Sequence, residues 1–493
     1  MDLLILLLIL PAAGALLILF LPPTASHLIR RTALLSTVLT LLYSCWLYIP
    51  FDPADPSVQM LSLHQWNVRL GTSFALGIDG FSYPLVVLTT LLVFLAVLVS
   101  TPVTRRVRGY YMLLLLLETA TLGVFIAQDW ALFYVFWEMV LIPLFFLIDR
   151  WGGARRQTAA LNFVLYTMGG SVFMLLSLLV LFDANPEHSF LFSSVSQSAA
   201  ALAVDVQVLI FAGLLLGFGV KIPVFPLHGW LPLAHVEAPG PVSILLSGIL
   251  LKMGGYGLIR AAETLPQAIL SLQNLLLALG LTGLIYGGLL AWRQSDLKKM
   301  IAYSSVSHMG VVIIGIATLS HAGLTGAVFQ MVAHGLVAGA LFMLISLLYE
   351  RTHTRNINDY GSLMQRTPRF ALLIIIAFTG AVGLPGTAGF IGELHILIAG
   401  YQQWGWLIAL LSLGVLISSV YSIQTVRQLY TGPVNPGMQS VQDLQPHELL
   451  AAGLLVGGTL VLGFYPSPLL VMIDASVTQL DGLFSALRGG MQP

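Results

Sequence analysis

Two lysines stand where a lysine is costly. Lys221 lies in VLIFAGLLLGFGVKIPVFPLHGWLP and Lys252 in PVSILLSGILLKMGGYGLIR. Each is about twelve or more residues from the end of its apolar run, near mid-bilayer at roughly 1.5 Å per residue. A charge at that depth costs about 2.5–3.5 kcal/mol to insert, and it is kept where it meets a partner or water. Candidate partners occur at similar depth. Glu138, in DWALFYVFWEMVLIPLF, is nine residues past Asp129, roughly 13 Å deep. Glu393 lies in AVGLPGTAGFIGELHILIAG, eight residues before Tyr401. His308 follows Lys299 by nine residues in KKMIAYSSVSH, and Gln330 and His334 in FQMVAHG share one helix face at i and i+4. His228 follows the proline-rich stretch after Lys221, and Glu118 is a further acid in an apolar run.

Any one of these side chains has a plain structural reading, a satisfied histidine or a glutamate that anchors two helices. Two lysines, two glutamates and two histidines at similar depth in different helices point instead to a hydrated polar axis. Chains of intramembrane ionisable groups are what proton relays require. The proton affinity of a buried amine depends on whether an opposite charge stands beside it. A Lys–Glu pair can therefore load or release a proton when its partner moves.

The elements that must carry these groups are set by composition. Of 493 residues, 21 are basic and 21 acidic, 9% in all, while 57% are hydrophobic. A soluble domain carries roughly 25% charged residues, so soluble enzymes are excluded. The net charge of zero offers no basic patch for nucleic acid, and disordered scaffolds are excluded by the apolar content. Cys45 is the single cysteine. It can form no intrachain disulfide and cannot hold an iron–sulfur cluster. Neither GxGxxG nor GxxxxGK[ST] occurs, so no nucleotide site is signalled. The first apolar run has no basic residue before Arg30 and reads as a retained membrane helix.

The expected fold is an all-α polytopic membrane protein with about fourteen transmembrane helices. They are read at 2–22, 32–50, 81–100, 110–128, 129–149, 159–183, 206–232, 240–261, 266–292, 298–318, 322–349, 368–400, 402–427 and 447–467, followed by a short amphipathic tail from Pro468. With this count, sixteen lysines and arginines fall in loops after odd-numbered helices and three (Arg69, Arg260, Arg488) on the other side, leaving Lys221 and Lys252. The asymmetry puts the arginine-rich loops in the cytoplasm and both termini outside. Residues 51–80 read as a small extramembrane hairpin.

Helices 7 and 12 read as broken: Pro223, Pro226 and Pro232 follow Lys221, and Gly383, Pro385 and Gly386 precede Glu393. Paired broken helices mark transporter cores. Lys221 to Glu393 is 172 residues and Glu138 to His308 is 170, which maps helices 5 and 7 onto 10 and 12. A repeat of five helices is odd, so its second copy is inverted. The divisions are 1–109, three helices with the hairpin; 110–261, the first repeat; 262–427, the inverted second repeat; and 428–493, helix 14 and the tail.

FYVFWEMVLIPLF, GVKIPVFPLHGWLPLAHVEAP, SGILLKMGGYGLIR, DLKKMIAYSSVSHMG, FQMVAHGL, ERTHTR and GLPGTAGFIGE together resemble the NuoM/NdhD-type antiporter-like subunits of respiratory complex I (NADH-quinone oxidoreductase). The resemblance runs from about Asp79 to Glu393. It implies one proton-pumping module of a membrane arm, a subunit of a translocating oxidoreductase with no redox chemistry of its own. By motif, Glu138 would be the glutamate paired with the central Lys221, and Lys252 the connecting lysine. His308 and His334 would continue the axis, and Glu393 would take the exit-side position, where related subunits often use lysine. His228, Gln330 and Glu118 are secondary candidates. The resemblance assigns no cofactor or metal to this chain. NADH, FMN, iron–sulfur clusters and quinone belong to partner subunits, alongside homologous antiporter-like subunits, lipid and protons, with no nucleic acid. It places the chain in a bacterial plasma (inner) membrane, or a thylakoid membrane in a cyanobacterial form. The alternatives are a Mrp-type cation/proton antiporter subunit, a membrane-bound hydrogenase subunit, or a cyanobacterial-type ferredoxin–plastoquinone variant. One position departs from the family pattern: WLPLAH stands where WLPDAH is usual, so Leu233 replaces an acid.

Overall fold

A computed structural model describes residues 2–433 and 435–490. Among the described residues, fifteen main helical units follow one another, with a short surface helix, Phe192–Ala199, between the sixth and seventh: α1 Leu3–Phe20, α2 Ser26–Trp46, α3 Tyr83–Leu98, α4 Val107–Ile126, α5 Trp130–Trp151, α6 Arg156–Ala184, α7 in two pieces (Val204–Lys221 and Trp230–Glu237), α8 Gly240–Thr264, α9 Pro266–Trp292, α10 Leu297–Ala317, α11 His321–Thr352, α12 in two pieces (Pro368–Val382 and Ala388–Trp404), α13 Leu410–Tyr430, α14 Pro446–Phe464 and α15 Ser467–Gly490. Thirteen helices among the described residues are long and apolar enough to cross a membrane. The fourteen spans read from the sequence correspond to α1–α14.

The tail expected from Pro468 onward is one continuous helix of 24 residues. Ser476 Oγ of α15 accepts the Gly80 N–H, Arg488 donates to the Thr318 carbonyl and Asp474 meets His321 at 3.0 Å. All three contacts lie on the face opposite the arginine-rich loops. That placement explains why its apolar side is buried and its other side polar.

Between α2 and α3, strands β1 (Gln59–Asn67) and β2 (Thr72–Ile78) pair antiparallel, with Leu63 opposite Ala75 and His64 opposite Phe74. Asp79 links this hairpin to the helices. Its Oδ1 accepts the Phe81 and Ser82 N–H groups at the start of α3, and its Oδ2 meets Arg260 Nη2 at 2.5 Å, at the far end of α8.

Burial separates two kinds of helix. The apolar stretches of α8 and α11 are buried along their whole length and α10 almost so, while α14 and α15 bury about 33%. In a bilayer, a helix buried all round can carry polar groups, because protein rather than lipid surrounds them. Lys252, His308, Gln330 and His334 are on these central helices. Gly254 allows one close approach: a Cβ there would lie 2.8 Å from the Phe218 carbonyl oxygen and 3.0 Å from the Ile222 nitrogen. The backbone of α8 near Lys252 thus packs directly on α7 at Lys221.

Candidate functional site

Lys221 is the last residue of the first piece of α7, where unpaired carbonyls favour a cation. Residues 222–229 leave the helical path, and Trp230 Nε1 donates to the Val220 carbonyl at 2.8 Å. A backbone acceptor exposed by the break is thereby satisfied, as a nonpolar surrounding demands. The Lys221 ammonium is fully buried. It donates to the Trp137 carbonyl at 3.1 Å and lies 3.6 Å from the centroid of the Trp137 ring. Glu138 is the next residue, and its Oε1 is buried without a hydrogen-bond partner. Among the described ion pairs within 4.0 Å, none joins Glu138 to Lys221. The helix-5 segment reaches the lysine through the carbonyl and ring of Trp137 rather than through the carboxylate.

Lys252 follows a π turn, Leu246–Leu250, inside α8. Such a turn widens the helix and shifts its hydrogen-bond register, leaving a carbonyl free of its usual donor. The Lys252 ammonium donates to the Ser247 carbonyl at 2.7 Å. It also lies 2.6 Å from His334 Nδ1 on α11. The Ser247 hydroxyl is 3.0 Å from that of Ser305 on α10.

From His334 the file continues. The His334 and His308 ring centroids are 5.5 Å apart. His308 Nδ1 is 3.5 Å from Glu393 Oε1, and Gln330 Nε2 donates to the same oxygen at 3.3 Å. Glu393 sits in the second piece of α12, folded back on the break. Gly383, with φ +74°, ends the first piece in the left-handed conformation that glycine favours, and a Cβ there would lie 2.6 Å from Glu393 Oε2. A narrow internal cavity lined by His308, Gln330, His334, Ser304 and Gly389 adjoins this end. One buried line of groups able to carry protons thus joins α8, α10, α11 and α12.

Of the nine residues singled out in the sequence, Lys252, His308, His334, Glu393 and Gln330 lie in this line, while Lys221 and Glu138 form a second buried group at the α5–α7 contact. His228 stands apart, in the α7 break, its ring packed with Phe225 and Tyr286. Glu118 is fully buried on α4, with neither carboxyl oxygen hydrogen-bonded. Among the described residues, no group of three His, Cys, Asp or Glu side chains could hold a metal.

Two residues were missed. His235, on the second piece of α7, is fully buried, stacked on Phe342 at 4.4 Å, with neither ring nitrogen hydrogen-bonded. Its signal was its spacing, seven residues after His228. Lys298 reads in the sequence as a loop charge, but it is 4% exposed and donates to the Ala238 carbonyl at 3.0 Å. Leu233 is partly buried against the apolar core, a surrounding suited to leucine rather than the usual acid.

Residues 127–418 match the family described as NADH:quinone oxidoreductase/Mrp antiporter, TM. The chain is similar to the NADH-quinone oxidoreductase subunit M of Rickettsia conorii, 36% identical with 92% of each chain covered. It is similar to the subunit M of Rhodobacter capsulatus, 38% identical over 93% of this chain and 91% of that one. It is also similar to the NAD(P)H-quinone oxidoreductase chain 4 1 of Synechococcus elongatus, 38% identical over 96% and 90%. Among solved structures, a chain of respiratory complex I from Thermus thermophilus with bound NADH superposes with a TM-score of 0.88 at 32% identity, covering 98% of this chain and 99% of that one. A chain of the Mrp complex from a Dietzia species shares the fold, with a TM-score of 0.83 at 21% identity, but only 56% of that chain is covered.

Proposed function

Because the chain belongs to the NADH:quinone oxidoreductase/Mrp antiporter transmembrane family, we propose that it is a proton-translocating membrane-arm subunit of an NADH-quinone oxidoreductase. The observation that carries this reading is the file Lys252–His334–His308–Glu393, together with the buried Lys221 group on α7, which packs against α8 beside Lys252. The match in length favours complex I over a Mrp antiporter: the chain spans nearly all of the Thermus thermophilus chain but about half of the Mrp one.

NADH, FMN, iron–sulfur clusters and quinone belong to partner subunits. Homologous antiporter-like subunits flank this one in the membrane arm. The arginine-rich loops face the cytoplasm of a bacterial plasma membrane, and both termini face outward. Quinone reduction elsewhere changes the field at Glu138. Lys221, held by the Trp137 carbonyl and ring, responds by changing its hold on a proton, since opposite charges in a low-dielectric interior set each other's protonation. The proton passes to Lys252, then through His334 and His308 to Glu393, and leaves on the outer side. The two halves, α4–α8 and α9–α13, work as an inverted pair, each with one broken helix.

The test replaces Glu138 with Gln and Lys221 with Ala in the assembled complex and measures protons moved per electron. Both variants should pump less. An unchanged ratio in both would overturn the proposal.

A further inference from the structure

The two buried lysines are unequally provided for. Lys221 contacts Trp137, the residue before Glu138, whereas Lys252 meets only a carbonyl and an imidazole. Glu118 has the complementary deficit. It is fully buried, and both of its carboxyl oxygens lack a hydrogen-bond partner. A carboxylate left so is strongly disfavoured in a nonpolar interior.

The register of α4 against α8 puts these two at similar depth on neighbouring helices. The Tyr256 hydroxyl donates to the Phe125 carbonyl at 3.0 Å, and the two rings pack edge to face at 5.5 Å. That contact fixes which faces of the helices meet. Glu118 is seven residues before Phe125, on the same face of α4, and Lys252 is four residues before Tyr256, on the same face of α8. Both helices run in the same direction, from the arginine-rich face to the opposite one. Counting back from the shared contact puts the Glu118 backbone about 10 Å down α4 and the Lys252 backbone about 6 Å down α8. The lysine chain makes up the difference, because it curls back to the Ser247 carbonyl.

The other charged groups around Glu118 lie at the wrong depth. Helix α4 packs on α1, α2, α3, α5, α8 and β2. Helix α1 and strand β2 carry no charged or titratable side chain, and α3 carries only Tyr83. The cations Arg30 and Arg31 of α2 and Arg150 of α5 are at the arginine-rich face, while Arg260, with Glu263, is at the opposite end of α8. His27, Tyr43, Cys45, Tyr134, Tyr256, Glu138 and Asp149, with Arg108, Tyr110 and Tyr111 in the first turn of α4 itself, complete the titratable set on these helices; His27, Arg108, Tyr110 and Tyr111 lie at the arginine-rich end, well away from Glu118 in depth. Among the described residues, Lys252 is the one cation at mid-depth on an element packed against α4.

We infer that Glu118 is the carboxyl partner of Lys252, sharing one proton with it when the lysine turns from His334 toward α4. The step is a single transfer. Once Lys252 has passed its proton to His334 and is a neutral amine, a proton leaves the Glu118 carboxyl for that amine, giving carboxylate and ammonium, and returns when Lys252 moves back. It gives the second lysine the counter-charge that Glu138 supplies to the first. This inference rests on the reading of Lys252 as a proton carrier.

The test uses the whole complex in membrane vesicles, with Glu118→Gln, Glu118→Asp, Lys252→Met and the double Glu118→Gln/Lys252→Met variant. Glu118→Gln should lower protons moved per electron and shift the pH profile of pumping by roughly one unit, with Glu118→Asp in between. A merely structural glutamate would change complex content without moving that profile. If Glu118→Gln fails to assemble, removal of both charges in the double variant should restore assembly. A native ratio and pH profile in Glu118→Gln, or failure of the double variant to assemble when the single one fails, overturns the inference. Pumping lost in Glu138→Gln and Lys221→Ala but native in Glu118→Gln sinks this step alone, whereas native pumping in all of them sinks the proton-carrier reading.

Discussion

Lys252 Nζ and His334 Nδ1 lie 2.6 Å apart, joining α8 to α11, and no carboxylate is within 4.0 Å of either among the described ion pairs. An amine and an imidazole at hydrogen-bond distance can pass one proton with little movement of heavy atoms.

Lys252→Met removes the ammonium while keeping much of the side-chain volume. The expected outcome is a complex that assembles but moves fewer protons per electron. His334→Gln keeps a polar side chain and should lose part of the same activity. Proton uptake or release measured against NADH oxidised in vesicles checks both.

At the other end of the file, Glu393 accepts from Gln330 and faces His308. Glu393→Gln should therefore reduce pumping more than Gln330→Ala. The glutamine supplies one hydrogen bond, about 1 kcal/mol, whereas the glutamate supplies the protonatable group. Reversal of that order in the pumping ratio would contradict the assignment of the exit-side role to Glu393.

Gly383→Ala meets two obstacles. The φ of +74° is strained for alanine, at about 1–2 kcal/mol, and the new methyl would press on the Glu393 carboxyl. Lower thermal stability of the solubilised complex and weaker pumping should appear together, because the break and the carboxylate share the same space.

Arg260 is 4% exposed and bridges Asp79 at 2.5 Å and Glu263 at 2.8 Å. Arg260→Met leaves two acids facing each other without their cation, a loss of about 3–5 kcal/mol. Asp79→Asn should cost less, since an amide oxygen can still accept the Phe81 and Ser82 N–H groups that Asp79 now caps. Thermal unfolding of the two variants should follow that order, with α15 loosened first, because Ser476 docks on Gly80 beside the cluster.

The sequence by itself determined the helices. A bilayer leaves a long apolar run one stable backbone solution, so α1–α14 follow from composition, and the asymmetry of lysine and arginine separates their two ends. It also marked Lys221, Lys252, Glu138 and Glu393, because a charge in such a run is costly enough to stand out. What it could not assign were distances across helices. Only the packing decided that Lys221 meets the carbonyl and ring of Trp137 rather than the Glu138 carboxylate. Only the packing turned Lys252 toward His334 and left Glu118 without a partner. Lys298 looked like a loop charge, and His235 like part of a motif, until the helices around them closed. The physical reason is the same in each case. Depth along a helix is fixed by counting residues, but which side chains face one another depends on the rotation and close approach of neighbouring helices, set by contacts far apart in the chain.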